Sequence, residues 1–195
     1  MVVVVLAVGG GGAAFWFDRP RLIKHVAERD HLAAPAAWVL ARQGPPEEAR
    51  AALLAAMEEG EPRLRAAAAR ALGGYRARDL VTDLGKVAMS DPDPAVRRAA
   101  VEGLDQIGES NAIPFVRKAM LDPDLGVQAA ACGAVATYGL EGLIPAVIEH
   151  LDSPDISLRR AAKLALLRFL PEGQPGWEYD RAGWTTWYES GTNRR

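Results

Sequence analysis

The sequence predicts an all-α fold built as a stack of helix pairs, and three observations support this prediction. A five-position pattern recurs at intervals of 31 residues in the second half of the 195-residue chain. Each copy is followed by apolar residues at helical three- and four-residue steps, and no stretch gives a convincing strand pattern. A period between about 20 and 50 residues indicates stacked units rather than a single globular core.

The copies of the pattern share a proline, an aspartate, an aliphatic residue, a long polar residue and an alanine, in that order. They are Pro92, Asp93, Val96, Arg97 and Ala99, then Pro123, Asp124, Val127, Gln128 and Ala130, then Pro154, Asp155, Leu158, Arg159 and Ala161. A less regular copy lies upstream, with Leu64, Arg65 and Ala67 at the corresponding positions. The repeat therefore extends beyond the three clear units.

Each unit predicts two helices. In the clearest unit the apolar spacing predicts a helix over 94–107, with Asp93 as its N-cap and Gly108 as its stop. The second helix of that unit begins near Ile113, where a proline at the next position is tolerated in the first turn. Applied to the whole chain, the pattern predicts four helix pairs and a last single helix over 156–170.

Two sets of charged residues recur with the repeat. They are Asp93, Asp124 and Asp155, and Arg65, Arg97 and Arg159. We interpret the aspartates as helix caps rather than as a row of acidic ligands. The arginines are predicted to pair with those carboxylates between neighbouring units, and Gln128 interrupts the series.

The segment 91–100, Asp-Pro-Asp-Pro-Ala-Val-Arg-Arg-Ala-Ala, followed by Leu104 and Ile107-Gly108, resembles the bacterial HEAT repeat. It is most similar to the short repeats shared with phycobilisome-lyase-like proteins. The resemblance covers about residues 31–170. It implies a right-handed α-solenoid of about four to five helix pairs, whose second helices line a concave face that binds a partner. The predicted partner-binding residues on those helices are Lys86, Arg117, Lys118 and Glu149.

The segment 2–17 carries no charged side chain and predicts a membrane anchor. As a helix it would rise about 24 Å, against about 30 Å of hydrocarbon in a bilayer. Its aromatic end and the charges that follow resemble an interfacial belt with a charged stop. The residues assigned to the anchor are Val2, Val5, Phe15, Trp16 and Phe17. A cleaved secretory signal and a buried arm of a soluble protein remain open as alternatives.

The charges after the apolar segment predict its orientation. Arg19, Arg21 and Lys24 follow it, so the positive-inside rule places the repeats in the cytoplasm, with the periplasm as the alternative. The predicted organisation is an anchor with a transmembrane helix at 1–18, a juxtamembrane linker at 19–30, a HEAT-repeat solenoid at 31–170 and an aromatic cap and tail at 171–195.

Aromatic residues are concentrated near the carboxyl end. They include Trp177, Tyr179, Trp184 and Trp187. The last unit of a solenoid exposes an apolar face that needs a cover, so we interpret these residues as a cap. An aromatic docking patch is the alternative.

Composition and motifs argue against a catalytic or ligand-binding site. A net charge of −2 disfavours a nucleic-acid partner, and the single cysteine, Cys132, excludes an internal disulfide. The setting of Cys132 is that of an inert buried helix position. The three histidines lack metal-site spacing, and no glycine-rich phosphate loop follows a strand. The sequence thus predicts no catalytic, cofactor-binding or metal site, and no enzyme.

The function predicted from the sequence is a non-catalytic scaffold, a membrane-anchored accessory or structural subunit of a larger membrane complex. Its expected partners are other proteins and, through the N-terminal helix, membrane lipid, but neither nucleic acid nor a small-molecule substrate. Two alternatives remain open. One is a lyase-like or maturation factor that presents a substrate protein for modification, and the other is a soluble exported adaptor whose N-terminus is cleaved.

Overall fold

The computed structural model describes residues 19–43, 47–170 and 180–191, and every regular element in them is a helix. The α-helices are α1 (Arg19–Glu28), α2 (Ala33–Gln43), α3 (Glu47–Glu59), α4 (Pro62–Gly74), α5 (Val81–Ser90), α6 (Pro94–Ile107), α7 (Ile113–Ala119), α8 (Leu125–Thr137), α9 (Ile144–Glu149), α10 (Ile156–Leu167) and α11 (Arg181–Glu189). Short 3-10 turns precede α5, α7 and α9, and another follows α9. The predicted all-α fold is confirmed for these residues.

The helices from α2 to α10 form two layers. In the first layer α2, α4, α6, α8 and α10 pack against one another in sequence. The second layer contains α3, α5, α7 and α9, and each of these packs against the first-layer helix that follows it in the chain. Four helix pairs and a last single helix therefore build a stack in the described residues, as a solenoid requires.

Local sequence explains where α6 begins and ends. The Asp93 carboxylate accepts a hydrogen bond of 2.8 Å from the Ala95 amide, and Pro94 occupies the first helical position. The helix ends at Gly108, which has a φ of 73° and so takes the left-handed conformation that glycine adopts without strain. Buried residues at helical spacing, such as Val96 and Leu104, face the neighbouring helices. The predicted bounds of this helix match the structure.

Glycine brings α4 and α6 together at one point. A Cβ atom placed on Gly73 would lie 2.3 Å from the Cα atom of Gly103 and 2.9 Å from its carbonyl oxygen. No side chain fits between the two backbones there, so the first-layer helices meet almost backbone to backbone. The interior around this contact is apolar, and no polar or charged residue is fully buried in the described part of the chain.

The recurring aspartates cap helices, as predicted. The Asp124 side chain accepts bonds from the amides of Gly126 and Val127, and the Asp155 side chain accepts one from Leu158. Each cap supplies an acceptor for amides that have no partner within the helix. The capping interpretation is confirmed for α6, α8 and α10.

The arginines pair with different aspartates from those predicted. Arg97 donates to both carboxylate oxygens of Asp122, at 2.8 Å each, rather than to Asp124. Arg65 makes the same two bonds, also of 2.8 Å, to Asp91 rather than to Asp93. The aspartates at the capping positions are occupied by helix amides, which leaves the aspartate two positions earlier to receive the guanidinium.

Among the described residues, the last two units carry no such ion pair. Gln128 stands in place of the arginine and donates a 2.7 Å bond to the Asp122 carbonyl. Ser153 stands 31 residues after Asp122 and so replaces the aspartate of the next junction. Arg159 donates to the carbonyl oxygens of Ser153 and Pro154, 2.7 and 3.1 Å away. The arginine and the aspartate are thus lost together between α8 and α10.

Two stretches differ from the sequence prediction. Residues 19–28, expected to lie in a linker, form α1, which packs against α2 and α3. Leu22 and Val26 lie one helical turn apart and are both buried, which explains why this segment is helical. At the other end α10 stops at Leu167 rather than at Leu170.

Candidate functional site: the exposed face of the first layer

The predicted partner-binding residues lie on three second-layer helices and are all exposed. Lys86 Nζ lies 3.4 Å from Asp83 on its own helix, and Arg181 of α11 donates to Glu149 at 3.2 Å. Arg117 and Lys118 form no ion pair within the described segments. Their assignment to a binding face stays a prediction.

The residues assigned to a membrane anchor lie outside the described residues. They are Val2, Val5, Phe15, Trp16 and Phe17. Within the described ranges, no helix combines the length and the apolar character that crossing a bilayer requires. The predicted single-pass membrane localisation is contradicted by this finding.

Two of the four residues predicted to form the aromatic cap lie within the described residues. Trp184 and Trp187 are buried in α11, which packs against α9, and their rings meet edge to face with centroids 5.6 Å apart. Arg181 ties α11 to the same region through bonds to Glu149 and Asp152. Trp177 and Tyr179 lie outside the described residues. The capping role stays a prediction, and the buried pair supports it.

A second face, which the sequence analysis missed, is formed by the exposed side of the first-layer helices. Positions 31 or 32 residues apart lie side by side on it, because neighbouring helices are consecutive units of the repeat. One such row contains Trp38, Arg70, Glu102, Gly133 and Leu164, on α2, α4, α6, α8 and α10 respectively. We call this surface the first-layer face.

The α2 end of the first-layer face combines an aromatic ring with arginines. Trp38 is 53% exposed, and the guanidinium carbon of Arg42 lies 5.4 Å from the centroid of its ring. On the next helices Arg70 donates to Glu102 at 2.7 Å, and Arg98 donates to the other oxygen of the same carboxylate at 2.8 Å. Two guanidinium groups thus share one carboxylate.

Arginines also occur elsewhere on the first-layer face. Arg63 is exposed at the start of α4, Arg160 is exposed on α10, and Arg168 is exposed directly after the end of α10. The face is therefore basic, although the whole chain carries a net charge of −2. A basic face attracts an anionic ligand or an acidic protein surface.

The middle of the first-layer face is apolar and carries one carboxyl group at its edge. The α8 helix has no charged residue, and Gly133 is exposed at its centre. A Cβ atom on Gly133 would lie 4.0 Å from Asp105 Oδ2. Burial raises the pKa of Asp105. The negative charge of Glu102 raises this pKa further, whereas a hydrogen bond with Thr137 lowers it. Asp105 Oδ1 is buried and has no hydrogen-bond partner among the described residues.

One signal in the sequence could have revealed this face. The α6 segment carries Arg98, Glu102 and Asp105 at outward positions, whereas α8 carries only alanine and glycine at the same positions. A helix that is apolar on every side is normally buried on every side. The loss of charge in one unit of a repeat therefore marks a surface that differs from its neighbours.

Neither a metal centre nor a reactive thiol is found in the parts of the chain that the structure describes. No three His, Cys, Asp or Glu side chains there are grouped closely enough to hold a metal ion. Cys132 is buried in α8, and burial raises the pKa of its thiol to about 12.

Comparison with known proteins supports the repeat architecture. Residues 81–167 match the family model of HEAT repeats. A chain from the structure of the complex of CpcE and CpcF of phycocyanin lyase from Nostoc sp. PCC7120 matches with a TM-score of 0.67 and 26% sequence identity. The match covers 86% of this chain and 69% of that chain. No curated protein sequence matches the chain.

These findings correct one prediction and support another. The prediction that the protein is not an enzyme is contradicted, because the similar structure is that of a lyase. The family model supports the HEAT-repeat part of the resemblance, and the structural match supports its lyase-like part. The described chain is an all-helical array that contains HEAT repeats.

Proposed function

We propose that the protein is a HEAT-repeat subunit of a lyase-type assembly that holds a chromophore and a protein partner on its first-layer face. The observation that carries this proposal is the structural match to the phycocyanin lyase complex, which extends over 86% of the chain. It favours the lyase-like alternative over a membrane scaffold. Because that structure is a complex of two proteins, we also propose a protein partner for this chain.

The α2 end of the first-layer face suits an open-chain tetrapyrrole, or bilin. A bilin has conjugated apolar rings and carboxylate groups, so it needs an aromatic surface and cations close together. Trp38 offers an exposed ring for stacking, and Arg42 and Arg70 offer guanidinium groups for carboxylates. This assignment replaces the expectation that the protein takes no small molecule.

Asp105 is the residue that we propose for proton exchange in a lyase reaction. Its carboxyl holds a proton to higher pH than an exposed aspartate does, because it is partly buried. It lies beside Gly133, where the absence of a side chain leaves room for a ligand to approach. General acid–base groups of this kind contribute about 10²- to 10⁴-fold to a rate.

The proposal is tested by titrating the purified protein with biliverdin and following the absorption of the pigment. We expect saturable binding that weakens by about tenfold in Trp38→Ala, since an aromatic stacking surface is lost. Leu121→Ala removes another large exposed apolar side chain, 82% exposed, and serves as the matched control. Equal binding by Trp38→Ala and Leu121→Ala would place the pigment elsewhere, and no binding by the wild type would reject the chromophore role.

A second measurement tests the transfer step. Apo-phycocyanin, pigment and the protein are mixed, and covalently bound pigment is detected on the acceptor after denaturation. Asp105→Asn is expected to lower the rate of attachment by at least tenfold while leaving pigment binding intact. If the acceptor is never labelled but binds the protein, the alternative is a purely protein-binding role, which HEAT repeats also support.

A further inference from the structure

Arginines join one unit of the array to the next by bridging two turns. Arg65 and Arg97 use the Nη1 atom to bind backbone carbonyls in the turn before their own helix. They use Nε and Nη2 to bind both carboxylate oxygens of Asp91 and Asp122 respectively, in the turn before the following first-layer helix. We call the edge formed by Nε and Nη2 the carboxylate-binding edge.

Arg159 makes only the first half of this arrangement. Its Nη1 atom donates to the carbonyl oxygens of Ser153 and Pro154 at 2.7 and 3.1 Å. The Nη1 atom of Arg97 donates to the two equivalent carbonyls at 3.0 and 3.4 Å, so both guanidinium groups are held from the same side. The carboxylate-binding edge of Arg159 makes no hydrogen bond within the described part of the chain.

The carboxylates closest to Arg159 in the chain are engaged by other groups. The Asp155 side chain accepts a 2.7 Å bond from the Leu158 amide and caps α10. Asp152 accepts a 2.9 Å bond from Arg181 of α11. Neither carboxylate forms an ion pair with Arg159. By the pattern of the earlier units, a carboxylate for this arginine would come from a helix that follows α10 in the first layer.

The described array ends at this point. The α10 helix packs against α8 and α9, and no further first-layer helix follows it in residues 19–43, 47–170 and 180–191. The side of α10 that would meet such a helix carries Arg159, Lys163 and Leu167, and we call it the terminal face. Arg159 is half-buried on it, and Leu167 is 37% exposed.

The terminal face is more polar than the equivalent faces inside the stack. Lys163 stands at the position of Val101 and Cys132, which are both completely buried. A large apolar contact of the kind that joins internal units is therefore not available there. The specific element of the terminal face is the guanidinium group of Arg159, which is already oriented for a two-bond contact with a carboxylate.

We infer that the terminal face binds a helix of a partner protein, and that an aspartate in the turn before that helix bonds to the carboxylate-binding edge of Arg159. The junctions of α4 with α6 and of α6 with α8 already contain this contact, so the fitting occupant is the first helix of another helical-repeat array. This inference goes beyond the proposed function, because it concerns the end of the stack and holds whether or not the protein carries a pigment.

A second copy of this chain fits less well, because its first turn is closed. Asp30 lies three residues before α2, as Asp91 lies three residues before α6, and each accepts a bond from the amide two residues later. The other oxygen of Asp30 lies 2.6 Å from Nδ1 of His25 on α1. The α1 helix takes the place of a preceding unit and would have to move before Asp30 could bind an arginine.

The probe is a peptide of residues 89–107 of this chain, which contains the Asp91 turn and α6, labelled for fluorescence anisotropy. A lactam that joins Glu102 to a lysine introduced by Arg98→Lys keeps it helical, since these positions are one turn apart. We expect saturable binding to the full-length protein, and binding at least tenfold weaker for the Asp91→Asn peptide. No binding by the parent peptide, or equal binding by both, would overturn the inference.

The protein side of the contact is tested by Arg159→Gln. Gln128, at the equivalent position, still donates a 2.7 Å bond to a carbonyl of its own turn, so this variant should fold and melt as the wild type does. We expect it to bind the parent peptide at least tenfold more weakly and to bind the parent and Asp91→Asn peptides equally. Arg160→Gln, at an exposed arginine beside it, is the matched control and should bind as the wild type.

Two results with these variants would refute the contact. One is an equal loss of peptide affinity in Arg159→Gln and Arg160→Gln. The other is an Arg159→Gln protein that still prefers the parent peptide to the Asp91→Asn peptide as strongly as the wild type does.

Two further measurements separate the other occupants. Biliverdin that displaces the peptide and binds Arg159→Gln more weakly would assign the terminal face to a pigment carboxylate and overturn the inference. Sedimentation that shows wild-type dimers, absent in Arg159→Gln, would assign it to a second copy and also overturn it. If the peptide binds as expected and biliverdin does not bind at all, the inference stands and the proposed function fails.

Discussion

Arg97 and Asp122 form a two-bond ion pair that joins α6 to the turn before α8, although 25 residues separate them in the chain. Only 13% of the arginine side chain and 8% of the aspartate side chain are exposed. The Asp122 carboxylate also accepts a 2.8 Å bond from the Asp124 amide, so it holds the capping turn in place. One carboxylate thus fixes both the start of α8 and its position against the preceding unit.

Removing one partner of this pair should destabilise the array. Asp122→Ala leaves the Arg97 guanidinium largely buried without its anion, and the expected loss of unfolding free energy is about 2–4 kcal/mol. Urea unfolding followed by circular dichroism measures it. Arg117→Ala, on an exposed position of α7, is the control and should cost less than about 0.5 kcal/mol. Equal costs for the two variants would show that the pair adds no stability.

Two glycines of the first layer should respond oppositely to alanine. Gly73→Ala would place its methyl group 2.3 Å from the Gly103 Cα atom, so α4 and α6 must move apart at a cost of about 1–3 kcal/mol. Gly133→Ala meets its nearest neighbour at 4.0 Å and should stabilise the protein by about 0.5–1 kcal/mol through helix propensity. Thermal unfolding of the two variants gives the signs, and a stabilising Gly73→Ala would contradict the close approach.

Cys132 should resist thiol reagents in the folded protein. Burial raises the pKa of its thiol to about 12, so almost no thiolate exists at neutral pH, and the sulfur is also inaccessible. Labelling with an aromatic disulfide reagent is expected to be slow in buffer and rapid in 6 M guanidinium. Pigment binding should survive Cys132→Ala. Rapid labelling of the folded protein would mean that α8 opens frequently or that the cysteine has a chemical role.

His150 predicts a loss of stability on mild acidification. Burial lowers its pKa below the ordinary value, and the neighbouring Glu149 only partly offsets this. Below about pH 6.5 the unfolded chain takes up a proton at this histidine more readily than the folded protein does. The contribution of neutral His150 to stability is therefore complete above about pH 6.5. It declines as the pH falls toward the pKa that this histidine has in the folded protein.

The test compares melting temperatures at pH 7.5 and 5.5. The melting temperature of the wild type should fall further on acidification than that of His150→Ala. This substitution introduces the residue found at the equivalent positions 31 and 62 residues earlier, Ala119 and Ala88. His31→Ala, at an exposed histidine, should behave as the wild type. An unchanged pH dependence in His150→Ala would assign the effect to other groups.

The sequence predicted the helices well because the signals that bound them are local. Asp93, Pro94 and Gly108 act within a turn of the helix that they begin or end, so one unit is enough to place α6. The pairing of Arg97 depends on the orientation of the next unit. Two aspartates lie two residues apart in the turns before α6 and α8, and their spacing alone does not show which one caps and which one receives the guanidinium.

The candidate site was harder to predict because periodicity does not show which layer is open. Lys86 and Arg98 both sit at outward positions of amphipathic helices, and only the packing of the stack assigns them to opposite faces. The missing charge in α8 was visible in the sequence, but small residues in a helix usually indicate close packing. Only its exposed position shows that Gly133 faces outward rather than a neighbouring helix.

The substitution of Gln128 and Ser153 for an arginine and an aspartate has a further consequence. Each ion pair joins an arginine of one unit to an aspartate before the next, so replacing only one of the two would leave the other charge without a partner. At this junction both are replaced by neutral residues, so no charge is left unpaired. The α10 unit is then the part that can detach with the least electrostatic penalty. Local unfolding of the array should therefore start at the boundary between α8 and α10, where amide hydrogen exchange would be fastest within the stack.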